Sequence, residues 1–293
     1  MEENRQGRFR VTLLGTGAPP PVLDRFGPST LVEAGTEKFL FDAGRGALQR
    51  LFQLRIPFGE ISGLFLTHLH SDHVVGFPDL WLTGWIGQPW GKRKVPLPVW
   101  GPTGTREMMS HLEKAYQFDI QVRSHYPREG VTINAEDFTE GVVFEKDGLR
   151  VAAIEVDHGR VKPAFGYRID YAGRSVVLSG DTRFNENLIH RSQGADLMVH
   201  EVAASTEELL RTSDIARIIA ANHTAPEEAG KVFARVKPKL AVYSHILLFG
   251  GVPVTELITL TRKTYSGPLE VGEDLMAIEV GEKIQVRRFK DQV

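Results

Sequence analysis

The sequence predicts an α/β fold in which two β-sheets pack against each other and helices cover them. Two observations carry this. Short apolar runs of strand length dominate both halves of the chain, with helix-period stretches between and after them. Several of these runs also end in the same way, with a polar, ligand-type residue at the C-terminal edge: Thr67-His68, Asp157-His158, Ser179-Gly180-Asp181 and Ser244-His245. No short-period repeat or low-complexity linker divides the chain, so a single domain over residues 1–293 is expected.

The elements follow in order. Phe9–Leu14 reads as a strand, followed by Gly15-Thr-Gly17 and a Pro-rich loop. Ser29–Glu33 and Lys38–Phe41 are strands joined by the turn Gly35-Thr-Glu-Lys38. Ala47–Ile56 carries Leu48, Leu51 and Phe52 at helical spacing, and Pro57 stops it. Ile61–Thr67 is a short buried strand. The stretch at about 77–98 holds Trp81, Trp85 and Trp90 among several Gly and Pro, which suggests a partly mobile flap rather than a long helix. Thr105–Phe118 reads as a surface helix. In the second half Leu149–Val156, Ala164–Asp170, Ser175–Leu178, Ala195–Val199 and Leu240–Tyr243 are strands. Glu207–Ala221, Pro226–Val236 and Glu256–Tyr265 are helices, and Leu275–Val280 and Ile284–Arg288 close the chain as strands.

Composition narrows the function. An apolar content of 42% supports a large core. With 35 basic and 37 acidic residues the formal charge is −2, which announces neither nucleic acid nor an acidic membrane surface. There is no cysteine, so disulfides and thiolate metal sites are excluded. The charged N-terminus lacks the apolar stretch of a signal peptide, and no apolar run approaches the ~18 residues of a membrane helix. A cytoplasmic protein without a membrane partner is expected, with a homodimer allowed.

His68-Leu-His70-Ser-Asp72-His73 is the densest chemistry, with three histidines and a carboxylate inside six residues. A strand ending in a polar turn sends alternate side chains to one side, so His68 and His70 can reach one ion. Asp72 and His73 can face a second. Imidazole and carboxylate without thiolate suit zinc, with manganese or iron as alternatives. Four ligands leave two ions short, and Asp157-His158, Asp181 and His245 sit at strand ends where they could complete the set. His111, His125 and His190 lie among charged residues and read as surface. The tryptophans read as packing, with Trp90 beside Lys92-Arg93-Lys94 as the exception to test.

The order of these motifs, together with Asp42 in Phe-Asp-Ala-Gly, Phe165-Gly-Tyr167, Gly15-Thr-Gly17, His200-Glu201 and Asn222-His223-Thr224, resembles the metallo-β-lactamase-fold hydrolases. The closer likeness is to their RNase Z and arylsulfatase-like branch. The resemblance implies an αββα sandwich of two mixed β-sheets flanked by helices. It also implies two divalent ions: His68, His70 and His158 hold one, Asp72, His73 and His245 hold the other, and Asp181 bridges them. Asp42 would position the ligand loop. Asp72 would both bind metal and orient a bridging hydroxide, and His223, oriented by Glu201, would assist the leaving group.

Substrate is less legible. RNase Z carries an arm that grips tRNA between the positions of His158 and Asp181, and the span here leaves room only for a strand, a turn and a strand. There is no clear counterpart of the family's Pro- and Lys-containing loop, and Lys92-Arg-Lys94, the one dense basic run, reads as a solvated turn. The sequence therefore favours a small anionic ester (phosphodiester, aryl sulfate, carboxylic ester or lactone) as partner. tRNA 3′-end cleavage is the disfavoured alternative, and a non-catalytic metal-binding module the minor one.

Overall fold

A computed structural model describes residues 7–86 and 89–289. Its first sheet contains β1 (Phe9–Gly15), β2 (Ser29–Ala34), β3 (Glu37–Phe41), β4 (Gly63–Phe65), β5 (Leu97–Gly101) and β6 (Ile133–Asp137). The second contains β7 (Gly141–Lys146), β8 (Leu149–Glu155), β9 (Phe165–Tyr171), β10 (Arg174–Leu178), β11 (Leu197–Ser205), β12 (Leu240–Phe249) and β13 (Leu269–Val271). The chain then returns to the first sheet with β14 (Ala277–Val280) and β15 (Ile284–Arg287). The strand orders are β15-β14-β1-β2-β3-β4-β5-β6 and β13-β12-β11-β10-β9-β8-β7. In both sheets one part is antiparallel and the other parallel, β3 to β6 in the first and β10 to β13 in the second.

The helices are α1 (Ala47–Gln53), α2 (Ser71–Val74), α3 (Phe77–Ile86), α4 (Thr105–Ala115), α5 (Gln117–Val122), α6 (Glu186–Arg191), α7 (Glu207–Thr212), α8 (Asp214–Ala220), α9 (Pro226–Val236) and α10 (Val254–Thr261). Val11, Leu13, Phe39, Phe41 and Phe65 of the first sheet meet Val151, Tyr167, Val176, Val199 and Val242 of the second. The outer face of the first sheet packs against α1, α3 and α4. That of the second packs against α6, α9 and α10. Helices on the outside and a partner sheet on the inside bury central strands on both faces. Hence β2 is buried along its whole length and β12 over its first eight residues, rather than at alternate positions. The expected sandwich of two mixed sheets flanked by helices is the observed fold.

Several elements differ from their sequence reading. β11 and β12 run well past Val199 and Tyr243, because His200, Glu201 and His245 are buried inside the strands instead of ending them. The helix expected over Glu207–Ala221 is two helices. Ser213 adopts extended backbone, and its side chain accepts from Ala216 N as the N-cap of α8. β5, β6, β7 and β13 escape the sequence reading because β5 contains Pro98 and the other three are half-exposed edge strands.

The flap expected at about 77–98 is, through its first half, the packed helix α3, and residues 87–88 lie outside the described residues. Trp81 and Trp85 are buried, their indole nitrogens donating to Val131 O and Pro127 O, each at 2.8 Å. In the basic run, Lys92 and Lys94 are exposed as expected, but Arg93 between them is not solvated. Arg93 is buried, donating to Gly130 O at 3.0 Å and to Trp81 O, which ties α3 to the segment before β6. Trp81→Ala is expected to cost about 3–5 kcal/mol, the usual range for deleting a buried indole. Urea unfolding checks this, and an unchanged midpoint would show that the helix is not part of the core.

Candidate active site

Side chains from both sheets converge beyond the C-terminal ends of the parallel strands, where open α/β sheets place their ligands. β3 ends at Phe41, and Asp42 turns with φ +60°. Its Oδ1 accepts from Thr67 N at 2.8 Å, and its Oδ2 accepts from Thr67 Oγ1 at 2.8 Å and from His73 Nδ1 at 2.7 Å. One buried carboxylate thus pins both ends of the segment from Thr67 to His73.

The same contacts set tautomers. Because the Thr67 hydroxyl donates to Asp42, His68 Nδ1–H must donate to Thr67 Oγ1, at 3.0 Å. His68 Nε2 is then left as a bare lone pair, and both His68 Nε2 and His73 Nε2 are buried with no hydrogen-bond partner among the described residues. His158 follows β8, and its Nδ1–H donates to Asn222 O at 2.9 Å, which again frees Nε2. Burial and the neighbouring His73 hold His68 well below the usual imidazole range, in the neutral form that can act as a ligand. For His73 burial pulls down, but the carboxylates of Asp181 and Asp42 outweigh it and raise it well above that range.

Asp181 follows β10 after a turn that needs glycine. Gly180 sits at φ +60°, and a Cβ there would lie 2.3 Å from Phe165 O. Asp181 Oδ2 lies 3.3 Å from His245 Nε2, 3.4 Å from His73 Nε2, 3.8 Å from His68 Nε2 and 3.9 Å from His158 Nε2. Burial pushes Asp181 up, but His245 and His73 outweigh it and hold it well below the usual carboxylate range. His245 sits in a bulge between β11 and β12 with φ +44°, which turns its ring toward Asp72 Oδ2 at 3.3 Å.

The donor atoms form overlapping groups, each within 4.8 Å: His68, His70, His158 and Asp181; Asp72, His73 and His245; and Asp181, His223 and His245. Two ligands on one tetrahedral zinc lie roughly 3.4 Å apart, given Zn–N bonds of ~2.0–2.1 Å. The spacings around Asp181 bracket that value. Buried, unpartnered imidazole nitrogens aimed at shared carboxylates are the arrangement a divalent-ion pair requires, so the residues fit the expected ions.

His223 and Glu201 complete the site. Glu201 Oε1 accepts from Thr224 N at 2.9 Å and from Thr182 N at 3.3 Å, joining the Asp181 loop to the His223 loop. Its Oε2 lies 3.3 Å from His223 Nδ1. Burial lowers His223, but Glu201 more than offsets this, and His223 is raised to about 9. Arg183, with its side chain 42% exposed, donates to Asn222 Oδ1 at 2.9 Å and pairs with Asp157 Oδ2 at 3.7 Å at the rim. Thr67, Thr182, Asn222 and Arg183 escaped the sequence reading as site residues. The first three act through backbone groups or a hydroxyl, which no spacing pattern marks, and Arg183 acts through a guanidinium that stands in no motif.

The Beta-lactamase superfamily domain model matches residues 37–246. A protein named Ribonuclease Z from Mycobacterium bovis (strain BCG / Pasteur 1173P2) is 36% identical over 276 residues, covering 93% of this chain and 98% of its own. Among solved structures, the metallo-β-lactamase fold protein YhfI from Bacillus subtilis superposes with a TM-score of 0.74 at 19% identity, over 93% of this chain and 99% of that one. Human tRNase Z, short form, gives 0.70 at 22%, again over 93% and 99%.

The relative named Ribonuclease Z overturns the expectation that a small anionic ester is the partner and tRNA is disfavoured. That expectation leaned on the missing arm, and β9 and β10 are indeed joined by the tight turn at Ala172-Gly173. Yet the relative aligns with this compact chain along nearly its whole length, so the short connection is no argument against the ribonuclease branch. The chain belongs to the beta-lactamase superfamily and, within it, to the Ribonuclease Z-like hydrolases of the metallo-β-lactamase fold.

Proposed function

We propose that this chain is an RNase Z-type endoribonuclease that cleaves a phosphodiester at the 3′ end of precursor tRNA, using two divalent ions, zinc by preference. The full-length similarity to a Ribonuclease Z carries the reading, and the chemistry of the donor set supports it. His68, His70 and His158 would hold one ion, Asp72, His73 and His245 the other, with Asp181 shared. When bound, such a pair supplies Lewis acidity and lowers the pKa of water toward ~7.

The protein's own groups do the rest. Asp72 Oδ2, facing His73 and His245, has a second task as the acceptor that orients the attacking water. His223, protonated when raised to about 9, offers a proton or a hydrogen bond to the departing oxygen. Glu201 holds its ring. Arg183 at the rim meets a phosphate beside the scissile one.

A precursor tRNA with a 3′ trailer, incubated with the zinc-reconstituted protein, should be cut at a single position after the tRNA body. Chromogenic esters serve as the comparison. A complex with about six phosphate contacts should lose roughly 10³-fold in affinity between about 50 and 200 mM salt. Turnover of the esters with an intact precursor would sink the proposal. Elemental analysis should give close to two ions per chain, and a firm value of one after reconstitution would remove the shared role of Asp181.

A further inference from the structure

The geometry points to Arg183 as a positioning residue. Its guanidinium ties the turn carrying His158 to the segment carrying Asn222 and His223, and so fixes the carbonyl that orients His158. The inference rests on the reading of His158 as a metal ligand.

Three loops meet here. Residues 157–159 follow β8, residues 181–183 follow β10, and residues 222–224 lie between α8 and α9. The middle loop joins the first through the backbone, Arg183 N donating to Asp157 O at 2.8 Å. It joins the third at Thr224, whose Oγ1 donates to Thr182 O at 2.6 Å. The bond from His158 Nδ1–H to Asn222 O, 2.9 Å, links the first loop to the third.

Arg183 reinforces that link from both sides. Its Nη2 donates to Asn222 Oδ1 at 2.9 Å, and its Nη1 lies 3.7 Å from Asp157 Oδ2. Asp157 Oδ1 accepts from Gly159 N at 2.9 Å, which closes the turn around His158. Gly159 has φ +65°, and a Cβ there would lie 2.2 Å from Asn222 Oδ1 and 2.9 Å from Arg183 Nη2. The backbone of the turn therefore packs directly on the Arg183–Asn222 pair. One guanidinium thus holds the residue before His158 and the residue before His223.

The need for such a tie lies in the segment before Asn222. α7 buries no residue and α8 buries Ala216 alone, and helices with so little buried surface open locally at low cost. The Asn222 carbonyl stands at the end of that segment, yet His158 takes its tautomer and ring orientation from it. His68 and His73 need no such help, because Thr67 and Asp42, both buried, hold their Nδ1 atoms. The pair with Asp157 is about half exposed and adds little stability. What Arg183 supplies is placement.

The test titrates zinc against a chromophoric chelator, without RNA, for the parent, Arg183→Met, Asn222→Ala and the double variant. Met keeps an apolar stem and loses every donor. Arg183→Met should weaken one of the two ions about 10-fold and leave the other unchanged. That is the low end of the ~10–100-fold cost of losing a ligand's supporting contacts, because the carbonyl itself remains. Asn222→Ala should match it, and the double variant should be no worse than either, since residues acting through one link are not additive. Arg183 also meets a phosphate in the proposed reaction. Loss of that contact alone would lower the salt slope on precursor tRNA by roughly one and leave zinc affinity untouched.

An Arg183→Met variant that binds both ions as tightly as the parent overturns the inference. Additive losses in the double variant overturn the route through Asn222. If Arg183→Met does not fold, Asn222→Ala decides, and unchanged affinity for both ions is then the overturning result. His158→Ala separates the underlying reading. Two ions retained there would remove His158 from the site, and the positioning role with it. One ion lost there, beside unchanged affinity in Arg183→Met, would defeat the inference alone.

Discussion

Asp181→Ala is expected to bring bound metal below one ion per chain and to take precursor tRNA cleavage to background. The reason is the placement of one oxygen. Oδ2 lies within 3.9 Å of imidazole nitrogens from His68, His73, His158 and His245, so it is the point at which the two ligand groups meet. Removing it leaves each ion a ligand short and strips the negative charge that offsets them. Asp181→Asn keeps the shape but not the charge, and should retain the fold while binding metal far more weakly. Elemental analysis after dialysis against zinc buffer reads the first effect, and gel-resolved cleavage the second. Two ions retained in either variant would show that the clusters are independent sites.

His223→Ala is expected to keep both ions and lose about 10²–10⁴-fold in kcat, the usual worth of general acid help. His223 lies against both clusters, with ring centroids 5.0 Å from His158 and 5.7 Å from His245. Glu201 beside it keeps it protonated. If a group so placed supplies its proton to a poor leaving group, the loss should be largest on RNA and smaller on a nitrophenyl phosphodiester, which departs without one. An equal loss on both would make His223 a binding residue. Loss of metal would make it a ligand, a reading its proximity to Asp181 and His245 makes worth excluding. Glu201→Gln should weaken cleavage less, because a glutamine can still accept from Thr182 N and Thr224 N.

How much of this was legible depended on whether function lay in side chains or in pairing. The ligand-rich stretch from His68 to His73 was visible because its chemistry is local. The remote partners were visible because His158, Asp181 and His245 each follow an apolar run. The same reasoning failed where a polar residue lies inside a strand. His200 and Glu201 looked like the end of one, yet β11 continues to Ser205, pairing with β12 on past both residues. It failed again over residues 77–86, where Gly and Pro nearby suggested a flap, and at Arg93, read as part of a solvated turn, although Trp81 and Trp85 do pack as expected. Burial of two indoles and a guanidinium against backbone carbonyls instead holds α3 in place.

By itself, then, the sequence determined the fold class, the absence of thiolate chemistry, the candidate donor residues and their order along the chain. These depend on residue type and on periodicities of two and 3.6, which are properties of local segments. The tertiary structure alone decided which donors meet. Only when the two sheets face each other does Asp181 come within reach of His68 and His73 as well as His158 and His245, and only folding within each half brings Asp42 to His73 and lets Asn222 orient His158 through a carbonyl that every residue possesses. The expectation that tRNA is disfavoured was corrected by neither, but by the similarity to a protein named Ribonuclease Z. A missing arm and a sparse basic run are local absences, which do not decide a substrate.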